Sequence, residues 1–246
     1  VPNLTPNTAL HQLILGSIYG DGSLRADGHM TAYFREEHCV EQSDYLAWKH
    51  ACLASLGSAL VTTSRGTPSL ATRASVYLRD LKGQLYCEGR YKKLDFMLLS
   101  DLGPLGLAVW YQDDGTRADS GLRRRNTICM HRTTPAEKAK WRLAFRQVFN
   151  LFPAVNGGKN ITTISFDGVQ ADHFEELIAP YVHPSMAYKL RTPNASKALF
   201  DLNFDAKEGF EVRPCEIYEM RYRKWAGKKG LRYNLQVEGN ANYIVG

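Results

Sequence analysis

Two apolar segments of this chain end in the same way, and the pair restricts the possible folds more than any other feature. Leu13 to Leu24 reads LILGSIYGDGSL, and Pro104 to Thr116 reads PLGLAVWYQDDGT. Each segment is long enough for a helix and carries small residues that let a twin helix approach closely. Each then runs directly into an acid-glycine pair, Asp21-Gly22 in the first and Asp114-Gly115 in the second. Two such helices packed together bring two carboxylates onto one axis, where a divalent cation can hold them. A single apolar helix ending in Asp-Gly could be any C-capped core helix. The duplication makes the signal specific.

The copies lie within a longer repeat. After Asp21 the pattern predicts a strand at Met30 to Phe34, a helix at Asp44 to Leu56, strand-like residues around Ser75 to Leu78, and a Lys-Leu pair at Lys93-Leu94. After Asp114 it predicts a strand at Asn126 to His131, a helix at Pro135 to Phe149, a strand at Ile161 to Phe166, a helix at Ala171 to Ile178, and Lys189-Leu190. The second of these helices is signalled by Thr134-Pro135-Ala136-Glu137, a capping box with proline at the first helical position. Lys93 follows its acid by 72 residues and Lys189 follows its own by 75, which implies two similar halves. The strands stand too close together for crossover-connected parallel pairs, so the fold class is α+β.

The paired motifs resemble the LAGLIDADG homing endonucleases in their single-chain, two-motif form. The family's final acid-glycine falls on Asp21-Gly22 and Asp114-Gly115, while its alanine-glycine positions are read as Leu15-Gly16 and Ala108-Val109, a looser match. The resemblance implies two αββαββα half-domains related by a pseudo-two-fold axis, forming a DNA-binding saddle. The halves are assigned to residues 1–102 and 103–205, with a short β-rich tail at 206–246. It also implies a monomeric endonuclease that cuts both strands of a long DNA target, with Mg2+ or Mn2+ held by Asp21 and Asp114 and by the adjoining Gly20 and Asp113. Lys93 and Lys189 are the expected catalytic lysines, with Lys92 a near alternative to the first. Gln42 and Gln112 are further candidate hydrogen-bonding groups. His38 and His131, each read as following a strand and preceding a helix, are taken as counterparts.

Charge agrees with a nucleic-acid partner. Lys and Arg number 31 against 25 acids, a net +6, and the surplus is concentrated between Arg117 and Arg146. Expected phosphate or base contacts are Arg25, Arg35, Arg65, Arg73, Arg117, Arg123, Arg124, Arg125, Arg132 and Lys159. The Ser64 to Arg73 region and an Asp119 to Asn126 loop are the expected sequence-reading elements. Five scattered cysteines without a Cys-x-x-Cys pair argue against a disulfide framework or a zinc site. The sequence has no phosphate-cradling glycine loop, no secretory signal and no long apolar span, so an intracellular protein without membrane contact is expected.

The C-terminal stretch Leu231 to Val245, LRYNLQVEGNANYIV, resembles the late block of inteins. Ala241 stands where that block carries a histidine-like residue, the chain begins at Val1 rather than Cys or Ser, and it stops before any terminal His-Asn pair. An endonuclease associated with an intein is therefore expected, without splicing by this polypeptide. The alternatives are an RNA-splicing maturase, a DNA-binding protein of the same fold that no longer cuts, and the remnant of a protein-splicing intein.

Overall fold

The architecture is that of a computed structural model, which describes residues 8–87, 91–92, 96–120, 123–131, 135–157, 161–191, 217–223 and 232–237. The first half runs α1 (Ala9–Tyr19), β1 (Ser23–Asp27), β2 (Thr31–Glu37), α2 (Ser43–Cys52), β3 (Ala59–Thr62), β4 (Pro68–Ala71), α3 (Val76–Leu85), β5 (Tyr86–Cys87) and β6 (Tyr91–Lys92). The second runs α4 (Phe96–Asp114, two helical segments that meet at a kink at Gly103, φ 57°), β7 (Gly115–Ser120), β8 (Arg123–His131), α5 (Pro135–Phe149), β9 (Ala154–Gly157), β10 (Ile161–Asp167) and α6 (Val169–Ile178). Two 3-10 turns, Ala179–Tyr181 and Pro184–Lys189, follow. Each half forms one four-stranded antiparallel sheet, in the order β1-β2-β4-β3 and then β7-β8-β10-β9. The identical order confirms the expected α+β repeat.

The helix pair is central because its residues leave it no polar face. From Leu10 to Tyr19 every α1 residue except Gln12 is buried, and α4 is buried from Leu105 to Gln112. A helix apolar all round must be covered on all sides. Thr8 caps α1, its side chain accepting from His11 N at 3.2 Å. The helices meet at glycine: a Cβ on Gly16 would press on the Gly106 carbonyl and lie 2.8 Å from Val109 Cβ. Gly16→Ala is expected to cost about 1–3 kcal/mol through overpacking, read from urea denaturation. Gly83→Ala on α3, where a Cβ meets nothing within 4 Å, is expected instead to be neutral or stabilising. Equal effects at the two sites would contradict the close crossing.

Several expected elements shift. Ser75 to Leu78 is not a strand: Ser75 caps α3, accepting from Leu78 N at 3.2 Å, and makes only an isolated bridge to Ala32. The predicted Asp44 to Leu56 helix ends at Cys52 and continues as a 3-10 turn, Ala54–Leu56, closed by Gly57 at φ 63°. Ser64 to Arg73 contains β4, whose Ser69 and Leu70 are buried, and Asp119 to Asn126 is largely the β7-β8 hairpin rather than a loop. Strand β3 carried no alternating pattern to reveal it, because all four of its residues are exposed.

In the tail, β11 (Ile217–Arg223) pairs antiparallel with β12 (Arg232–Val237), with an irregularity between Ile217 and Glu219. Most of the intein-like stretch, from residue 238 onward, lies outside the described residues. Among the described residues, no helix is long and apolar enough to cross a membrane.

Candidate active site

Both acids leave the ends of the central helices. Helix α1 stops at Gly20, whose N–H still bonds the Gly16 carbonyl at 3.0 Å, and Gly22 N–H turns back to Ser17 O at 2.7 Å. Asp21 is thereby held on the turn, with its side chain 40% exposed. Asp114 is the last residue of α4. Burial and then the negative charge of Asp21 push its carboxyl up to about 6. The two carboxylates therefore act on each other electrostatically, which is the situation a bound cation relieves.

A lysine stands behind each acid. Lys92 Nζ donates to the carbonyls of Gly20 at 3.0 Å and Gly22 at 3.2 Å, the peptide units flanking Asp21. Lys189 Nζ donates to the carbonyls of Gln112 and, at 3.2 Å, Asp113, just before Asp114. Burial lowers both ammonium pKa values, while the surrounding aspartates, led by Asp114 for Lys92 and by Asp113 for Lys189, pull the other way. Lys93 lies outside the described residues, and its neighbour Lys92, the near alternative, reaches the peptide units that flank the first acid. Spacing alone could not choose between neighbours.

Beside the acids lies a buried charged cluster. Lys49 on α2 bonds Glu36 of β2 and both oxygens of Asp113, at 2.9 and 3.0 Å, with all three side chains fully enclosed. Burial works against the ammonium, but Asp113 and Glu36 together hold it above its ordinary pKa. Burial drives Asp113 the other way, up to about 7. Gly20 makes room for this carboxylate, since a Cβ there would lie 2.8 Å from Asp113 Cγ. Asp113 is thus neither solvated nor a simple companion of Asp114: its charge is already met by Lys49. Gly20 meets the site through its carbonyl, which Lys92 occupies.

His38 extends the cluster to Asp21. Its Nε2 donates to Glu36 Oε1 at 2.7 Å, its Nδ1 lies 2.8 Å from Gln42 Oε1, and Nδ1 is 3.7 Å from Asp21 Oδ2. Burial disfavours the imidazolium, but the hydrogen bond and charge of Glu36 hold His38 above its ordinary pKa. Asp21, His38 and Asp113 bring potential ligand atoms within 4.8 Å of one another. Lys49 and Glu36 already engage two of these three groups. Gln112 is structural: its amide donates to Ala108 O at 3.1 Å and Tyr181 O at 3.3 Å, and its oxygen accepts from His183 N at 2.6 Å.

The cluster has no copy in the second half. Ser23 pairs with Arg35 and Thr116 pairs with Thr127, each two residues past its acid, so the registers align Glu36 with Ile128 and His38 with Met130. His38 is therefore the counterpart of Met130, not of His131. Lys49 follows Glu36 by thirteen residues, as Trp141 follows Ile128. Ile128, Met130 and Trp141 are all buried. The second half buries apolar groups where the first buries charges, and carries a different polar group, in which Asn126 Nδ2 donates to Tyr111 Oη at 2.8 Å and Glu175 Oε1 at 2.9 Å. Sequence reasoning missed Glu36 and Lys49. The signal was present at Glu36, which shares the buried period-two register of Ala32 and Phe34 in β2.

The expected DNA-contacting residues are distributed unevenly. Arg25 and Arg35 share the open face of the first sheet, opposite buried Leu24 and Phe34. Arg35 and Arg65 both pair with Glu37, at 4.0 and 2.7 Å, and Arg73 packs beneath Gly57. Arg124 bonds Asp172 and Arg125 bonds Asp167, each about half exposed. Arg117 aligns with buried Asn126 and donates to the Leu190 carbonyl, which ties it to the Lys189 turn. The side chains of Arg123, Arg132 and Lys159 lie outside the described residues.

Comparison with known proteins agrees with this geometry. Residues 11–174 match the model of the LAGLIDADG DNA endonuclease family. The fold is shared with the homing endonuclease I-WcaI, solved bound to its DNA recognition sequence, at a TM-score of 0.61 and 18% identity over 76% of this chain and 95% of that one. Protein RecA of Mycobacterium shimoidei is 29% identical over 248 residues, which is 95% of this chain and 58% of that protein. The cytochrome b mRNA maturase bI2 of Saccharomyces cerevisiae is 26% identical over 76% of this chain and 49% of its own length. The chain thus spans about half the length of these curated relatives. With its family model covering both acid-bearing helices and both sheets, this chain belongs to the LAGLIDADG DNA endonuclease family.

Proposed function

We propose that this protein is a site-specific endonuclease that makes a double-strand break in a long DNA target by metal-dependent phosphodiester hydrolysis, acting as a monomer. The observation that carries the reading is the convergence of Asp21 and Asp114 at paired helix ends, with a lysine behind each. The donor set suits magnesium or manganese, hard cations that take carboxylate and carbonyl oxygens. Ions held there, with Asp21 and Asp114 each serving the cut of one strand, would supply an activated water and offset charge on the phosphorane and the leaving 3′ oxygen. Lys92 and Lys189 hold the peptide units beside each acid and place an ammonium where a phosphate would add charge. Arg25 and Arg35 face outward on the first sheet, where side chains of alternate residues can follow a groove.

The RecA relationship concerns a region other than an ATP-binding one. The alignment takes in 95% of this chain, yet the chain contains no G-x-x-x-x-G-K-[ST] sequence. Together with the intein-like stretch from Leu231 to Val245, this supports an endonuclease associated with an intein in a RecA-type host protein. The maturase relative favours a second reading, binding of a structured intron RNA. Retention of both acids favours DNA cleavage.

The deciding experiment is selection of cleaved sites from randomised and host-gene DNA libraries with Mg2+, with EDTA as control. Recovery of one long site, cut on both strands by a monomer, is the expected result. Cutting that survives EDTA or needs a dimer would overturn it. On that site, Lys92→Met and Lys189→Met are each expected to slow cleavage about 10²-fold or more, the range for positioned acid-base and electrostatic groups. Loss of affinity at an unchanged single-turnover rate would make the two lysines ordinary phosphate contacts.

A further inference from the structure

The two acids share a helix pair but not an environment. Asp21 has an imidazole beside it: His38 Nδ1 is 3.7 Å from Asp21 Oδ2, with the ring buried and braced by Glu36 at 2.7 Å and Gln42 at 2.8 Å. Strand register places Met130 at the corresponding position of the second half, and Ile128 where Glu36 would brace a ring. A thioether sets no polar ring edge beside Asp114, and an isoleucine cannot orient one. His38 is held in place because each of its nitrogens has a partner, whereas the Asp21 side chain is 40% exposed. A fixed, polar ring edge packed against a part-exposed carboxylate restricts where that carboxylate rests.

We propose that His38 is a positioning residue for Asp21 alone, so that the two strands of the target are cut by unequal centres. The inference rests on the endonuclease reading and adds to it an asymmetry internal to one active site. Because a displacement of about 1 Å at a reacting group can cost on the order of 10²-fold in rate, loss of His38 should fall on one strand and largely spare the other.

The test uses the full chain and the selected DNA site, with a different fluorophore on each strand. Single-turnover rate constants are measured for each strand in Mg2+. In His38→Leu the ratio of the two constants is expected to shift about tenfold or more from the wild-type ratio. His38→Asn, which returns a polar group near the Nδ1 position that Gln42 can hold, is expected to restore the ratio at least in part. A role confined to folding would slow both strands together. Thermal melting and DNA affinity in EDTA accompany each variant, and if His38→Leu does not fold, His38→Gln, which can keep a polar group toward Glu36 but removes the ring beside Asp21, takes its place. An unshifted ratio in folded variants, with or without an equal fall in both rates, overturns the inference while leaving the endonuclease reading intact. Failure of the unmodified protein to cut any DNA overturns both.

Discussion

Asp21→Asn and Asp114→Asn are each expected to lower double-strand cleavage by about 10³-fold or more, since removing a metal-holding carboxylate forfeits several kcal/mol of transition-state stabilisation. Affinity for the uncut site should stay near or above that of the wild type. Each substitution removes a negative charge beside the phosphates, and Asp114 already carries the electrostatic burden of Asp21. Cleavage assays with matched binding curves would decide the matter. Either variant cutting both strands at the wild-type rate would show that the acid does not serve the metal.

Lys49→Met is expected to destabilise the fold by about 3–5 kcal/mol, because it leaves two buried carboxylates without their shared cation. Glu36 and Asp113 are fully enclosed, and Glu36 Oε2 has no hydrogen-bond partner among the described residues. The triple variant Glu36→Ile, Lys49→Met, Asp113→Asn should lose far less, since it adopts the apolar solution the second half already uses at Ile128 and Trp141. Urea denaturation of the single and triple variants measures both effects. A single variant within about 1 kcal/mol of the wild type would mean that the cluster behaves like a solvent-screened surface pair. Because Lys49 comes from α2 and Asp113 from α4, the same variant should loosen the contact between the halves. Tyr45 and Trp48, whose rings lie 5.9 and 5.7 Å from that of His183, join the halves at the same place.

The duplicated helix ending in Asp-Gly determined the architecture from sequence alone. Close packing of two small-residue faces and a carboxylate at each exit are local consequences of residue type and spacing, so the helix pair, the repeat and the two acids were all legible. The strongly capped helix at Pro135 and the alternating strand at Ile161 were legible for the same reason. Elements whose signal depends on partners were not. Strand β3 is recognisable only by its pairing with β4, and the extended look of Ser75 to Leu78 yields to capping of α3. Within the site, that Lys92 reaches the Gly20 and Gly22 carbonyls across seventy residues of chain is a consequence of folding that spacing does not show. Asp113 and Asp114 are adjacent and chemically alike, yet one is enclosed against Lys49 while the other ends the helix beside Asp21. Only the tertiary structure separates them. Burial and long-range charge decide which carboxylate is paired with an enclosed lysine and which stands beside Asp21, and neither quantity is a property of local sequence.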